Sequence, residues 1–369
     1  MQKNKIMRIL VISDYDDNYN AVRPEGELFI GLHRAGADVQ VMTYGDTPFA
    51  QEFREAGMRV IDFHPKKKFS AESVATIRKE IIEQDRQIIH LFNNKAIING
   101  IRAARGLNVK VVTYRGYTGN IHWWDPTNYL THLHPRVDAI TCVSDAVKEV
   151  FDRQLFFPKD KAVTVSKGHN PTWYQDIPTG DLSEFDFPAG AVIVSVVANA
   201  RRMKGIPYLL DAIELLPEDS PAHFLLIGRG LDDPATLSAL DKKGIRDRVV
   251  FAGFRKDVLS LVKACDLSLL PSVKGEGLSK VLLESLFLGK ATIMTNIGGN
   301  KGLAIDGESG LVIPPRDPAA MATAINQLVD QPEYRKKIGA AGRAYIQGNY
   351  TVERSVRELM EVYEGLLAD

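Results

Sequence analysis

Residues 267–318 read LSLLPSVKGEGLSKVLLESLFLGKATIMTNIGGNKGLAIDGESGLVIPPRDP, and this stretch decides the architecture. A short apolar run at 267–270 stops at Pro271, as a buried strand does when a turn follows. The loop PSVKGEGLS carries two glycines and ends on Ser279, a residue type that caps helices by accepting a hydrogen bond from a first-turn amide. The segment KVLLESLFLG then places its apolar side chains at helical spacing. A strand that feeds a glycine-containing loop into a helix start makes an anion site, because unpaired backbone N–H groups and the positive end of the helix dipole face the same point. Glu276 lies in that loop and Glu284 lies eight residues on, inside the helix. Amides suit a diphosphate, and carboxylates on either side suit the hydroxyls of a ribose and a hexose, so the pattern fits a nucleotide sugar.

Outward from this unit the same alternation runs through the whole chain. Apolar, β-rich runs at 8–13, 38–43, 59–62, 88–91, 110–113, 139–143 and 162–165 predict strands. Helical patterns between them include 25–35, 71–84 and 145–151. A second series predicts strands at 192–198, 222–227, 249–252, 267–270, 291–295 and 310–313. Its helices fall near 205–215, 234–243, 257–264, 279–288, 318–329 and 332–347. Strands apolar on nearly every residue belong to parallel sheets covered on both faces. Between the two series the periodicity lapses in a Pro-, Gly- and Asp-rich stretch. The expected organisation is therefore a first Rossmann-like domain at 1–170, a linker at 171–190, a second Rossmann-like domain at 191–350, and a last helix at 351–369. This is an α/β fold of two domains facing across a cleft, where ligands bind beyond the strand C-termini. The last helix trails the second domain and is free to return to the first.

Composition narrows the function classes. The chain has 369 residues, 46 basic against 46 acidic, so bulk charge predicts no nucleic-acid partner. The start, with Lys3, Lys5 and Arg8 before an apolar run, mimics a secretory leader. Ser13 and Asp14 follow at once without a small-residue cleavage site, so a first strand is the expectation. Cys142 and Cys265 are far apart, each within an apolar run, which predicts neither a disulfide framework nor a metal knuckle and suits a cytoplasmic protein. No apolar run approaches the length of a membrane span. The basic run at 64–68, HPKKK, is either a solvated loop or a contact to an anionic membrane or acceptor. Asp14-Tyr15-Asp16 mimics a metal-binding D-x-D but ends the first strand of a domain where that motif does not belong, and no metal is expected. His132 and His134 have no nearby third ligand, which favours a structural role.

The stretch 271–318 resembles the donor-binding region of the retaining family 4 glycosyltransferases of GT-B fold. The family's E-x7-E motif matches at Glu276 and Glu284, and runs like those at 297–300 (IGGN), 306–310 (DGESG) and 314–317 (PPRD) occur in the family in register. The family places basic groups after the first strand of its second domain to hold the donor diphosphate. Here Lys204-Gly205 matches, while Asn199 stands where the family has its arginine. Arg201 is the residue chosen for that part, with Arg202 as the alternative. The resemblance also assigns Gly228, in a strand–G-x-G turn, and Phe254 and Arg255, which frame the base. It further implies that Gly277, Leu278 and Ser279 border the donor.

Over residues 1–170 the resemblance is looser. The family's glycine-rich loop is reduced to Gly26, and Arg115 stands where many relatives have a histidine that holds the sugar; His122 is the alternative stand-in. An arginine there favours a carboxylate or phosphate group. In YTGNIHWWDP, Trp123 and Trp124 either stack on an acceptor sugar or fill the space under a long loop. The resemblance implies a metal-independent hexosyltransferase without a cofactor. Its co-substrate would be a nucleotide sugar, most simply a UDP-sugar. Its acceptor would be a glycan or lipid-linked molecule of bacterial envelope or lipopolysaccharide synthesis, met at the cytoplasmic face of the inner membrane. With no second nucleophile in place, transfer with retention would proceed on one face. Glu276, Lys204 and Arg201 would be catalytic, and Glu284 would bind ribose. Two rivals remain: a nucleotide-sugar epimerase of the same fold, and a catalytically silent sugar-nucleotide-binding subunit.

Overall fold

A computed structural model describes residues 6–16, 19–155 and 159–368, so Lys3 and Lys5 lie outside the described residues. The chain divides into two compact units, Met1–His169 with Tyr350–Asp369, and Asn170–Asn349.

In chain order the first unit holds β1 (Arg8–Ile12), α1 (Tyr19–Arg34), β2 (Asp38–Thr43), α2 (Pro48–Glu55), β3 (Arg59–Asp62), α3 (Ala71–Glu83), β4 (Ile88–Leu91), α4 (Asn94–Ala103), β5 (Lys110–Arg115), β6 (Ala139–Cys142), α5 (Asp145–Gln154) and β7 (Ala162–Thr164). The seven strands form one parallel sheet in the order β3-β2-β1-β4-β5-β6-β7. Ile9, Leu10, Val11 and Ile12 are all fully buried, because crossover helices cover both faces of a parallel sheet. The strand order reverses between β1 and β4, and a crevice opens at such a reversal.

The second unit repeats the plan with β8 (Val192–Val197), α6 (Ile206–Glu214), β9 (Ala222–Ile227), α7 (Pro234–Lys243), β10 (Val249–Gly253), α8 (Val258–Ala264), β11 (Leu267–Leu270), α9 (Lys280–Phe287), β12 (Ala291–Thr295), β13 (Leu311–Ile313), α10 (Pro318–Asp330) and α11 (Pro332–Asn349). Its six strands run β10-β9-β8-β11-β12-β13, with the reversal between β8 and β11. The stretch 171–190 packs onto this unit. Gly180 donates its amide to the Ser260 carbonyl at 2.9 Å, Tyr174 stacks on Phe287 at 4.8 Å, and Phe185 joins an apolar cluster with Ile193, Leu225 and Ile227.

The last helix, α12 (Val352–Ala368), returns to the first unit and lies against α1. Leu359 and Tyr363 are fully buried there, and the Tyr363 hydroxyl shares a 2.7 Å hydrogen bond with His90 Nδ1 on β4. Glu358 Oε2 accepts from the Ser166 amide at 2.9 Å, and Ser355 Oγ donates to the Ser166 carbonyl at 2.6 Å. Among the described residues no helix is long and apolar enough to cross a membrane.

One helix start differs from the sequence reading. The sequence pattern predicts the first helical stretch at 25–35. The helix instead begins at Tyr19 and carries Pro24 inside it.

Candidate active site

The second unit's strand reversal brings together two loops. The loop after β8 closes with a short 3-10 turn, Arg202–Lys204, and is joined to the loop after β11 by the Val273 amide donating to the Met203 carbonyl at 2.8 Å. Gly205 follows in a left-handed conformation (φ 72°), and a Cβ there would sit 2.0 Å from the Pro271 carbonyl oxygen, so only glycine lets the two loops approach this closely. The loops deliver opposite charges to one point: Lys204 Nζ lies 2.6 Å from Glu276 Oε1. The same oxygen accepts from Ser272 Oγ at 2.7 Å. Both side chains of the ion pair are largely buried, and among the described residues Glu276 Oε2 takes no donor. The main chain of Glu276 is fixed as well, its carbonyl accepting from the Gly299 amide at 3.0 Å. A Cβ on Gly299 would fall 2.1 Å from the Gly277 carbonyl oxygen.

Directly beyond this pair α9 begins. Ser279 occupies its N-cap position and accepts from the Leu282 amide at 3.4 Å, so the helix start leads out of the Glu276-Gly277-Leu278 loop. Glu284 lies on the second turn with its carboxylate almost enclosed. Desolvation raises its pKa above the usual carboxylate range, opposed by Lys280, whose Nζ is 3.1 Å from Oε1. A largely buried carboxylate with one lysine and further acceptor capacity can accept a hydrogen bond from a hydroxyl.

The neighbouring loops of this unit are less uniform. Gly228 closes β9 with φ 151°, and a Cβ there would come within 1.6 Å of the Ala198 carbonyl oxygen. Asn199, standing where the resemblance expects an arginine, accepts from the Arg229 amide at 3.0 Å, so it braces the turn after β9. Phe254 is exposed, with the Arg229 guanidinium 4.2 Å from its ring centre. Arg255 is committed elsewhere: Asp257 and Glu184 each bind it at 2.8 Å, and these hydrogen bonds raise its pKa further. Arg201 and Arg202 border a groove of about 380 Å3 between α6 and α7, floored by Ile206, Leu210 and Leu231. The ion pair with Glu276 is made by Lys204 alone of these three cations.

In the first unit the expected donor contacts change character. Gly26, expected in a loop, lies inside α1, and a Cβ on it would meet the Phe49 ring at 2.1 Å. Its small size serves the packing of α1 on α2, and as a helix-interior residue it does not offer a loop amide to a phosphate. Arg115 at the end of β5 is buried. Its Nε donates to the Tyr117 carbonyl at 3.1 Å, its Nη2 to the Gly119 carbonyl, and its guanidinium lies 3.5 Å from the Tyr117 ring centre. The fork that could have met an anionic sugar shapes its own loop instead. Trp123 and Trp124 are exposed on that loop, and His122 stacks on Trp124 at 5.0 Å. His132 is buried, its Nδ1 3.0 Å from Thr113 Oγ1, and burial pushes its pKa down to about 3. Among the described residues no three His, Cys, Asp or Glu side chains cluster as metal ligands.

Three polar residues went unread in the sequence. Ser272 is one; in a Pro-Ser pair it reads as a turn residue, and only its four-residue spacing from Glu276 hinted at a contact. Glu25 and Lys167 are the others. Glu25 is buried on α1, accepts from Ser13 Oγ at 2.9 Å and lies 3.9 Å from Lys167 Nζ. Desolvation raises its pKa, opposed by Lys167 and Ser13.

Comparison with known proteins gives this geometry a family. The family model described as Glycosyl transferases group 1 matches residues 182–345, and the model described as Glycosyltransferase Family 4 matches residues 26–173. An uncharacterised glycosyltransferase of Methanocaldococcus jannaschii is 29% identical over 239 residues, 64% of this chain and 60% of that protein. A lipopolysaccharide core biosynthesis glycosyltransferase of Rhizobium meliloti is 28% identical over 188 residues, 51% of this chain and 53% of that protein. The chain thus spans little more than half the length of these relatives. Among solved structures, the Anabaena protein HepE in complex with UDP superposes with a TM-score of 0.77 at 19% identity, covering 97% of this chain and 100% of that one. With residues 26–173 and 182–345 both matched, and two parallel Rossmann-like sheets as the frame, the chain belongs to the family 4 glycosyltransferases of GT-B fold.

Proposed function

We propose that the chain transfers a sugar from a nucleoside-diphosphate sugar, with UDP as the nucleotide, to a hydroxyl of a glycan or lipid-linked acceptor, retaining the anomeric configuration and using no metal. The observation that carries this reading is the Lys204–Glu276 pair at the second unit's strand reversal, with one carboxylate oxygen left open. A diphosphate brings about two negative charges and competes for Lys204 better than a single carboxylate does. The amides at the start of α9 add to that attraction. Glu276 Oε2 then accepts from a hydroxyl of the transferred sugar and fixes the sugar's orientation, while Glu284 accepts from the ribose.

In the transfer step the bond from the anomeric carbon to the diphosphate oxygen breaks as charge develops on that oxygen. Lys204 and the α9 amides stabilise this charge. The acceptor oxygen bonds to the same face of the anomeric carbon, and its proton passes to the departing diphosphate. Atoms and charge balance without a protein nucleophile. The rhizobial relative's name and the UDP held by the Anabaena protein support a role in envelope or lipopolysaccharide glycan synthesis, at the cytoplasmic face of the membrane, with UDP as nucleotide.

Two measurements test the reading. A thermal-shift panel of UDP-, GDP- and ADP-sugars should raise the melting temperature with a UDP-sugar, since a ligand bound only by the folded state stabilises it. Glu276→Ala should then lower transfer by at least roughly a hundredfold while leaving the thermal unfolding curve nearly unchanged. A fully active Glu276→Ala protein refutes the assignment, and turnover of the donor with no acceptor present, giving an epimer, identifies an epimerase instead.

A further inference from the structure

We propose that Ser272 is a positioning residue that keeps Glu276 in its working orientation once the donor's diphosphate has drawn Lys204 away; this rests on the donor reading above. Glu276 Oε1 has two donors, Lys204 Nζ at 2.6 Å and Ser272 Oγ at 2.7 Å. They differ in what a bound diphosphate does to them. Lys204 carries a charge on a flexible four-carbon stem and turns toward the stronger anion. Ser272 is neutral and has a single side-chain torsion, so a diphosphate neither attracts nor displaces it.

Ser272 is also held from behind. It is fully buried, and its carbonyl accepts from Thr295 Oγ1 at the end of β12 at 2.5 Å. The Thr295 carbonyl in turn accepts from Asn300 Nδ2 at 3.1 Å, and Gly299, beside Asn300, donates its amide to the Glu276 carbonyl. The loop after β12 therefore grips both the serine and the main chain of the glutamate. Left-handed Gly275 (φ 81°) makes the turn that brings Ser272 and Glu276 face to face. With Oε1 tied to Ser272, rotation of the carboxylate is blocked and Oε2 stays presented to the sugar. The hydroxyl thus sets the sugar-orienting part of the site and not its affinity for phosphate.

The test uses Ser272→Ala, Ser272→Cys and Ser272→Thr in the full chain, with UDP and UDP-glucose as probes in calorimetric titration and in a donor-hydrolysis assay without acceptor. Loss of a hydrogen bond to a carboxylate should lower UDP-glucose hydrolysis by roughly tenfold to a hundredfold in Ser272→Ala, in kcat and not in KM, with the UDP affinity unchanged. A variant that keeps a donor, threonine or the equally small cysteine, should recover part of the loss. Ser272→Ala hydrolysis equal to wild type overturns the inference, as does a UDP affinity that falls in step with hydrolysis, which marks a merely structural role. The two layers separate cleanly. Wild-type protein that binds neither UDP nor UDP-glucose counts against the donor reading itself. A wild type disabled by Glu276→Ala but not by Ser272→Ala counts against Ser272 alone.

Discussion

The two units carry the same kind of sheet, and each has a strand reversal, yet the reversals are furnished for different chemistry. In the second unit the loops after β8 and β11 meet as Lys204 and Glu276, opposite charges 2.6 Å apart. In the first unit the loops after β1 and β4 meet as Asp14 and Asn93, with Asn93 Nδ2 donating to Asp14 Oδ2 at 3.3 Å and lying 3.0 Å from His64 Nε2. That first reversal has no cation in the pair, and the glycine nearest to it in function, Gly26, is filled by the Phe49 ring. Around the second reversal, Gly205, Gly228 and Gly299 hold backbone so close that a Cβ would overlap a carbonyl oxygen. Main-chain proximity plus a movable cation suits a diphosphate; an amide, a carboxylate and an imidazole suit neutral hydroxyls. On the proposed reading, one fold used twice would separate phosphate chemistry from hydroxyl chemistry by what its loops carry.

Substitutions can break this contrast. The largest effect is expected for Gly299→Ala, whose added carbon would displace the Glu276–Gly277 backbone; a shift of that size should lower transfer about a hundredfold, measured as kcat. Lys204→Ala should weaken UDP binding by roughly tenfold to a hundredfold in titration calorimetry. Asp14→Asn, at the other reversal, should leave UDP affinity unchanged. If Asp14→Asn weakened UDP as much as Lys204→Ala did, the division of labour would be wrong. Trp124→Ala should raise the acceptor KM by about two- to tenfold through lost stacking, again without touching UDP.

The smallest effect is on stability. Burial raises the pKa of Glu284, so its ionised form strains the folded protein. A raised folded pKa gives a stability contribution that is complete below the unfolded value, about 4.3, and lost as pH climbs through the folded one. Glu284→Gln should therefore melt higher than wild type at pH 8 and converge with it near pH 4, while UDP binds less well. A melting difference independent of pH would deny the carboxylate that role.

The sheets were legible because parallel strands are apolar on both faces, so 267–270 or 88–91 cannot be mistaken for an alternating surface strand. The loops were legible where the partner is near in sequence: Ser279 caps the helix that starts one residue later. They were not legible where the partner is remote. Arg255 has the residue type expected beside a nucleotide, but Glu184, 71 positions away, holds it. Arg115 looked like a recognition group because it stands where many relatives have a sugar-holding histidine, and nothing in the sequence says that its fork closes on the carbonyls of its own loop. Ser272 escaped because turn serines are ordinary, and its significance depends on a carboxylate that folding turns back toward it.

The return of α12 to the first unit has a consequence for synthesis. Residues 8–169 are made before the 170–349 unit, but Tyr363, Leu359 and Glu358, which seal α1 and β4 and tie down Ser166, are made only after it. The unit that is made first must wait, with an apolar face uncovered, while the 170–349 unit, whose elements are contiguous, is free to finish before it. Loss of α12 would therefore injure the amino-terminal unit, against which it packs, rather than the 170–349 unit that precedes it in the chain.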